Sequence, residues 1–283
     1  MKRARLIILA TALAAQAAWP LLPGGAGRAA AQALVSSGES FLQADLVLGD
    51  RSADGVREAG LRLDIAPGWK TYWRNPGEAG IPPTFDWSRS VNVADIEIDW
   101  PRPSSFESFG LRTLGYKHRV VLPLRLHPVD PSAPMALNLR LALGVCDDIC
   151  ILEETSVERA IAPGAAAEDA ALLAAARAMV PGPGAGAGLI AATCRLSGAG
   201  GDRDFAARLT FDRPLAEPIV VLEGPNDSWF HGTAIVADGG QIDVTSQLSL
   251  VDPGAWVERG DLRISVFAGD VSADIRGCSA PAG

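Results

Sequence analysis

The sequence predicts an all-β protein, with two β-sandwiches joined by a short helix and a Gly/Pro-rich linker. Three observations predict it. Apolar and polar residues alternate through most segments, the period of a half-buried strand. Pro and Gly turn formers separate these runs at short intervals. A single stretch, Ala165 to Val180, has helix-former composition, and a run of glycine and proline follows it.

The first half is read strand by strand. Leu42 to Leu48 alternates after its start, and Gly60 to Ile65 places Leu61, Leu63 and Ile65 on one side. Ile96 to Trp100 and Val120 to Leu126 continue the pattern. Leu137, Leu139, Leu141 and Leu143 share one face of Leu137 to Leu143, and Ile151 to Ile161 follows. This patterning reads as an antiparallel sandwich.

Ala165 to Val180 is rich in Ala and Leu. Glu168 and Asp169 fall in its first turns and Arg177 near its end, matching the helix dipole. The helix stops at Pro181, and Pro181 to Gly188 is a linker by composition. The second half offers Leu189–Leu196, Phe205–Phe211, Ile219–Leu222, Thr233–Val236, Gln241–Leu248, Leu262–Phe267 and Val271–Ile275. About seven short strands is the count of an immunoglobulin-like sandwich. The expected division is a signal peptide over 1–33, a first sandwich over 34–164, helix and linker over 165–188, and a second sandwich over 189–283.

The N-terminus has the layout of a secretory signal. Lys2, Arg3 and Arg5 precede an apolar run from Leu6 to Trp19, and Ala31-Gln32-Ala33 is an A-x-A cleavage motif. The mature chain is expected to begin at Leu34, in a periplasmic location. No later run reaches the roughly 18 apolar residues that span a bilayer. The whole chain has 25 Lys+Arg against 33 Asp+Glu; removing Lys2, Arg3, Arg5 and Arg28 leaves 21 against 33, a formal charge of −12. That acidity argues against nucleic acid or an anionic membrane face as partner.

Four cysteines allow three pairings. The domain boundary separates Cys146 and Cys150 from Cys194 and Cys278. A Cys194–Cys278 bridge would close a loop of about 85 residues and contribute about 4 kcal/mol in the chain-entropy model, the behaviour of a structural staple. Cys146-Asp147-Asp148-Ile149-Cys150 closes a very small ring, which constrains the unfolded chain far less. Spacing alone leaves two readings open for it, a redox centre and a local clip. Asp147 and Asp148 disfavour a thiolate beside them, so the pair is expected to react when a partner brings its own activated thiolate. The two aspartates also suit a turn. Metal binding is a competing chemistry, but His118, His127, His231, Met135 and Met179 lack ligand spacing to the pair, and no metal or other cofactor is expected.

The segment Pro67 to Pro83 is dense in aromatics and turn formers. Its rings either fill the end of the sandwich or form a docking surface, since Trp, Tyr and Arg dominate interface hot spots. Trp69, Tyr72 and Trp73 are the candidates. Gly68-Trp69-Lys70-Thr71-Tyr72-Trp73, Asn75-Pro76-Gly77 and Gly80, together with Trp100-Pro101, Phe106 to Gly110, Tyr116, Arg119 to Leu126 and Cys146 to Ile151, carry a resemblance. Over about Phe41 to Ile161 the chain resembles the N-terminal periplasmic domain of the DsbD and ScsB thiol-disulfide reductases, and is closer to ScsB.

That resemblance implies an immunoglobulin-like sandwich with one redox-active disulfide. It implies that Cys150 forms the mixed disulfide with partners and Cys146 resolves it. It also implies an aromatic cap loop over the pair, matched by Phe106 and Phe109. Electrons would come from a separate membrane donor, since the sequence contains neither the multi-helix membrane domain nor the thioredoxin domain of full-length members. Acceptors would be thioredoxin-fold periplasmic proteins, cytochrome c maturation factors or copper-tolerance proteins. The C-x-x-x-C spacing is tighter than in DsbD. A non-enzymatic binding module with structural disulfides and a copper-handling protein are the alternative readings. No G-x-S-x-G, H-E-x-x-H or phosphate-loop motif supports a hydrolase or nucleotide enzyme.

Overall fold

The computed structural model describes residues 40–108, 110–225 and 228–281. The expected signal peptide, its cleavage site and Phe109 lie outside the described residues. Ser40–Gly283 forms one compact unit. It is built almost entirely of antiparallel sheet, as the alternating sequence predicts.

The first sandwich packs two sheets. One has the order β1-β2-β8-β5, from β1 (Leu42–Arg51), β2 (Arg57–Ile65), β8 (Arg119–Pro128) and β5 (Val93–Ile98). The other has the order β10-β9-β3-β7-β6, from β10 (Cys150–Ile161), β9 (Met135–Cys146), β3 (Lys70–Gly77), β7 (Leu111–Lys117) and β6 (Ser104–Ser108). A short β4 (Thr84–Asp86) also pairs with β9. Between the sheets lie Leu61, Leu122, Leu124, Leu126, Leu137, Leu139, Leu141 and Leu143, all essentially solvent-free. The period-2 leucines of β9 therefore face inward. Cys146 falls on the other face of the same strand, one residue past Val145.

The second sandwich pairs β11-β18-β17-β14 with β12-β13-β16-β15. These are β11 (Gly182–Pro183), β12 (Leu189–Ser197), β13 (Asp202–Phe211), β14 (Ile219–Glu223), β15 (Ser228–Asp238), β16 (Gln241–Leu250), β17 (Arg263–Ala268) and β18 (Val271–Arg276). Cys194 and Cys278 are bonded, tying β12 to the segment after β18. Leu209, Ile242, Val244, Leu248, Ile264 and Val266 centre its core.

Three local expectations change. The helix α1 (Ala170–Ala178) begins later than the composition predicts. Asp169 is its N-cap, with Oδ1 accepting from the Leu172 amide at 2.8 Å, and a capping residue ends the helix by satisfying its orphan donors. Glu168 is thus outside the helix, and its amide donates to Leu48 O at 2.8 Å. The Gly/Pro stretch is not an open linker. Gly182–Pro183 adds to β18 in parallel, Gly184–Ala187 makes a 3₁₀ turn, and Gly188 O accepts from the Asp212 amide at 2.8 Å. The aromatic segment, dense in turn formers, contains β3.

β3 also joins the two sandwiches. It pairs regularly up to Tyr72, and its register with β7 then shifts. Trp73 is fully buried and meets Phe267 edge-on at 5.6 Å. The Arg74 guanidinium lies 3.8 Å from the Trp73 ring and forks onto Glu223, with Nη2–Oε2 at 2.8 Å. Arg102 Nη1 donates to Gly269 O at 2.7 Å.

Candidate functional site

The β9–β10 hairpin places Cys150 directly opposite Cys146, with Asp147, Asp148 and Ile149 as its turn. The Asp147 amide donates to Ile149 O at 3.0 Å and closes that turn. The hairpin supplies the loop that lets so short a spacing bridge: the two Cα atoms are 4.2 Å apart, and the sulfurs are bonded. The halves of this disulfide are unequal. Cys146 is buried at 1 % exposure, whereas Cys150 is exposed on the edge strand.

Four strands place a row of side chains on one face of the sheet. Cys150 opposes Cys146, Cys146 opposes Lys70, and Lys70 opposes Lys117. Directly opposed residues of antiparallel strands point to the same face, with Cβ atoms about 5 Å apart. Tyr72, two residues along β3, shares that face. Its hydroxyl donates to Cys146 Sγ at 3.0 Å and lies 3.6 Å from Cys150 Sγ.

The Tyr72 ring is held by two glycines. β3 pairs with β9 only at Lys70 and Thr71, and the ring lies where the strands part. A Cβ on Gly144 would come within 3.1 Å of the ring, and one on Gly80 within 2.5 Å. Gly80 also has φ +120°, which side-chain-bearing residues avoid. Burial pushes the Tyr72 hydroxyl above its ordinary pKa, so it remains a donor at neutral pH. Lys70, buried at 9 % exposure, is shifted the other way: desolvation first, then the Lys117 charge, lowers its ammonium pKa, while Asp147 opposes the shift.

The predicted cap residue Phe106 is half-buried on β6, with the Lys117 ammonium 5.0 Å and the Lys70 ammonium 5.8 Å from its ring centroid. Trp69 is half-buried and stacks on Phe41 at 3.9 Å. The expected docking surface is corrected for Tyr72 and Trp73. Tyr72 is buried beneath the disulfide and Trp73 against the second sandwich, because each ring gains more from burial than from water.

The sequence gives Lys70 no role, and leaves Tyr72 between filling the end of the sandwich and docking a partner. The alternation Lys70-x-Tyr72 was the available signal, but it carries meaning only once the register of β3 against Cys146 is known. A separate group of possible metal ligands, Asp95, Glu97 and His127, lies on β5 and β8 of the other sheet. Glu97 is already engaged there by Arg125 and by His127 at 2.9 Å.

The comparisons with known proteins set this sandwich in the thiol-disulfide interchange class. Residues 39–162 match the family described as thiol:disulfide interchange protein DsbD, N-terminal. That match spans the first sandwich, less than half of the chain. The structure is similar to the N-terminal periplasmic domain of ScsB from Proteus mirabilis, at 27% identity and TM-score 0.63, covering 84% of this chain and 92% of that one. That similarity extends across both sandwiches. The C-terminal domain of the Streptococcus pyogenes antigen I/II-family protein AspA aligns at 7% identity and TM-score 0.17, over 84% of this chain and 98% of that one, too weak to carry an argument. No curated protein matches.

Proposed function

We propose that this protein is a periplasmic thiol-disulfide exchange protein that relays electrons through Cys146–Cys150. One observation carries the reading. Of the two bonded cysteines, Cys150 is exposed on an edge strand while Cys146 is buried beneath a hydrogen-bond donor. Attack by a partner thiolate on Cys150 Sγ breaks the Cys146–Cys150 bond, forms a mixed disulfide at Cys150, and releases Cys146 as a thiolate. A second partner thiolate then attacks the partner's own sulfur in that mixed disulfide and releases Cys150. The partner leaves oxidised and this protein is left with two reduced sulfurs. In the reverse sense, Cys150 attacks an oxidised target and Cys146 resolves the adduct.

The family supports thioredoxin-fold partners as a class. Cytochrome c maturation factors and copper-tolerance proteins are the finer proposals among acceptors, and a separate membrane protein is the proposed donor. Export rests on the signal layout of residues 1–33 and on the periplasmic description of the ScsB domain. Among the described residues no helix is long and apolar enough to cross a membrane. The cap role of Phe106 and Phe109 belongs to the same proposal, supported by the position of Phe106 above Lys70 and Lys117. Such a cap would shield the sulfurs until a partner docks.

Trapping tests the reading. Cys146→Ser leaves the exposed Cys150 thiol without its resolving partner, so disulfide-linked adducts with thioredoxin-fold proteins accumulate. Cys150→Ser leaves only a buried thiol and captures far less. Equal capture by both variants, or none by either in the presence of such partners, overturns it.

A further inference from the structure

We infer that Lys70 is a positioning residue whose ammonium stabilises the Cys146 thiolate released when a partner attacks Cys150, and so sets the redox poise of the pair. The inference rests on the exchange reaction proposed above and assigns a residue to its most costly moment. When a partner attacks Cys150, negative charge develops on a sulfur that is 1 % exposed. A buried anion without compensation is expensive. The Tyr72 hydroxyl supplies one hydrogen bond at 3.0 Å but no charge. Asp147, next in sequence to Cys146, adds charge of the wrong sign.

Lys70 answers that deficit by its place in the sheet. It is directly opposite Cys146, on the same face, one strand away. Its side chain is buried at 9 % exposure, where solvent screening is reduced. The charged groups facing it are Lys117 on β7 and Asp147 on the hairpin turn, and Tyr72 is the uncharged titratable neighbour on β3. Lys117 is solvent-exposed and its ammonium lies 5.0 Å from the Phe106 ring centroid, so it reinforces the positive field from a wetter position. Burial and Lys117 lower the ammonium pKa of Lys70; a thiolate formed opposite it would raise that pKa again, which is the same interaction viewed from the lysine.

Electrostatic support of this kind stabilises the reduced form. Removing it shifts the equilibrium toward the disulfide and slows Cys146 as a leaving group. The test uses the full chain carrying Cys150→Ala, in which Cys146 is the only thiol outside the Cys194–Cys278 bridge. Its ionisation is followed by ultraviolet thiolate absorbance against pH. Lys70→Met and Lys70→Gln are expected to raise the Cys146 pKa by about one unit, a tenfold loss of thiolate below the pKa. Lys70→Arg retains the charge and stays near the parent value. In the intact pair, the glutathione equilibrium measured where the thiolate has formed moves about tenfold toward the disulfide in the Met variant, by the same linkage.

A lysine that merely packs the sheet would lower the melting temperature and leave both readouts in place. Unchanged pKa values in the Met and Gln variants, or an Arg variant as shifted as Met, overturn the inference. Should the neutral variants not fold, Asp147→Asn removes the opposing charge and is expected to lower the Cys146 pKa; no change overturns the inference equally. The thiol pKa is independent of any partner. A pKa that moves without adducts in the trapping assay sinks the exchange reading alone, and adducts without a pKa change sink the role of Lys70 alone.

Discussion

The two sandwiches each carry one disulfide, and the bridges differ in almost every physical respect. Cys194–Cys278 spans 84 residues and joins β12 to the segment beyond β18, the last strand of its sandwich. Cys194 is buried in the apolar core of the second sandwich, and its amide donates to Ser279 O at 2.9 Å. Cys146–Cys150 spans four residues across one hairpin, with one sulfur exposed and with Tyr72, Lys70 and Asp147 around it. A bridge with one half buried in an apolar core, the other half-buried, and a long loop between them is suited to holding a chain together. A bridge across a hairpin at the sheet edge, in polar and charged surroundings, constrains little and can open without unfolding its sheet.

The largest expected effect comes from deleting the bridges separately. Replacing Cys194 and Cys278 by Ser should cost about 4 kcal/mol of stability, and replacing Cys146 and Cys150 about 2 kcal/mol, since loop-closure entropy grows with the logarithm of loop length. Urea unfolding of the two double variants checks this, and equal losses would erase the contrast. The same contrast predicts the order of reduction. In a graded glutathione buffer, alkylation and mass spectrometry should find Cys146 and Cys150 labelled before Cys194 and Cys278.

The second effect concerns what holds the sandwiches to each other. Arg74→Ala strands Glu223 in a largely dry contact and should cost on the order of 3 kcal/mol. Arg208→Ala, which breaks an exposed pair with Asp243 on the second sandwich, should leave the urea midpoint unchanged. A similar response from both would mean that the inter-sandwich contact is as soft as an ordinary surface.

Tyr72→Phe keeps the ring between Gly80 and Gly144 and removes only the donor to Cys146. Exchange with a small thiol should slow by roughly tenfold, the value of one hydrogen bond to a charged group, with stability changed by about 1 kcal/mol or less. Stopped-flow reduction measures the first and thermal melting the second.

The smallest effect is a pH dependence. The Lys70 pKa is lowered by folding, so the unfolded chain binds more protons between the depressed value and the ordinary lysine value of about 10.4, and stability rises with pH across that window. Below the window the charged Lys70 destabilises the fold by a constant amount. Lys70→Met should therefore melt slightly higher than the parent near neutral pH, and the difference should close as pH rises through the window. A difference that is flat with pH would remove the desolvated charge from the comparison.

Much of the fold was legible because burial imposes a period. Leu137, Leu139, Leu141 and Leu143 announce one face of β9, and the structure buries all four. The strands that escaped the reading, β3, β4, β6 and β7, have sequences crowded with turn formers and aromatics, where alternation is broken by Pro76, Gly77 and Gly110. The Gly/Pro stretch after α1 was read as a linker from composition, which reports the flexibility of an isolated segment. It does not report that Gly182–Pro183 finds a partner in β18. The site was half legible. The cysteine pair and its unusual spacing stood out, and the aromatic segment was marked as meaningful. The direction in which Tyr72 and Trp73 point was not.

The sequence by itself determined the sheet-forming faces, the grouping of four cysteines into a local and a long-range pair, and the acidic turn between Cys146 and Cys150. These follow from local chemistry, namely side-chain alternation, turn propensity and chain separation. The tertiary structure alone decided that Cys146 is buried while Cys150 is exposed, that Tyr72 donates to the disulfide, and that Lys70 stands opposite it. Those facts depend on the register between β3 and β9, strands separated by more than fifty residues. Register is set by how both strands satisfy the whole sheet and its core, and no short window of sequence contains it.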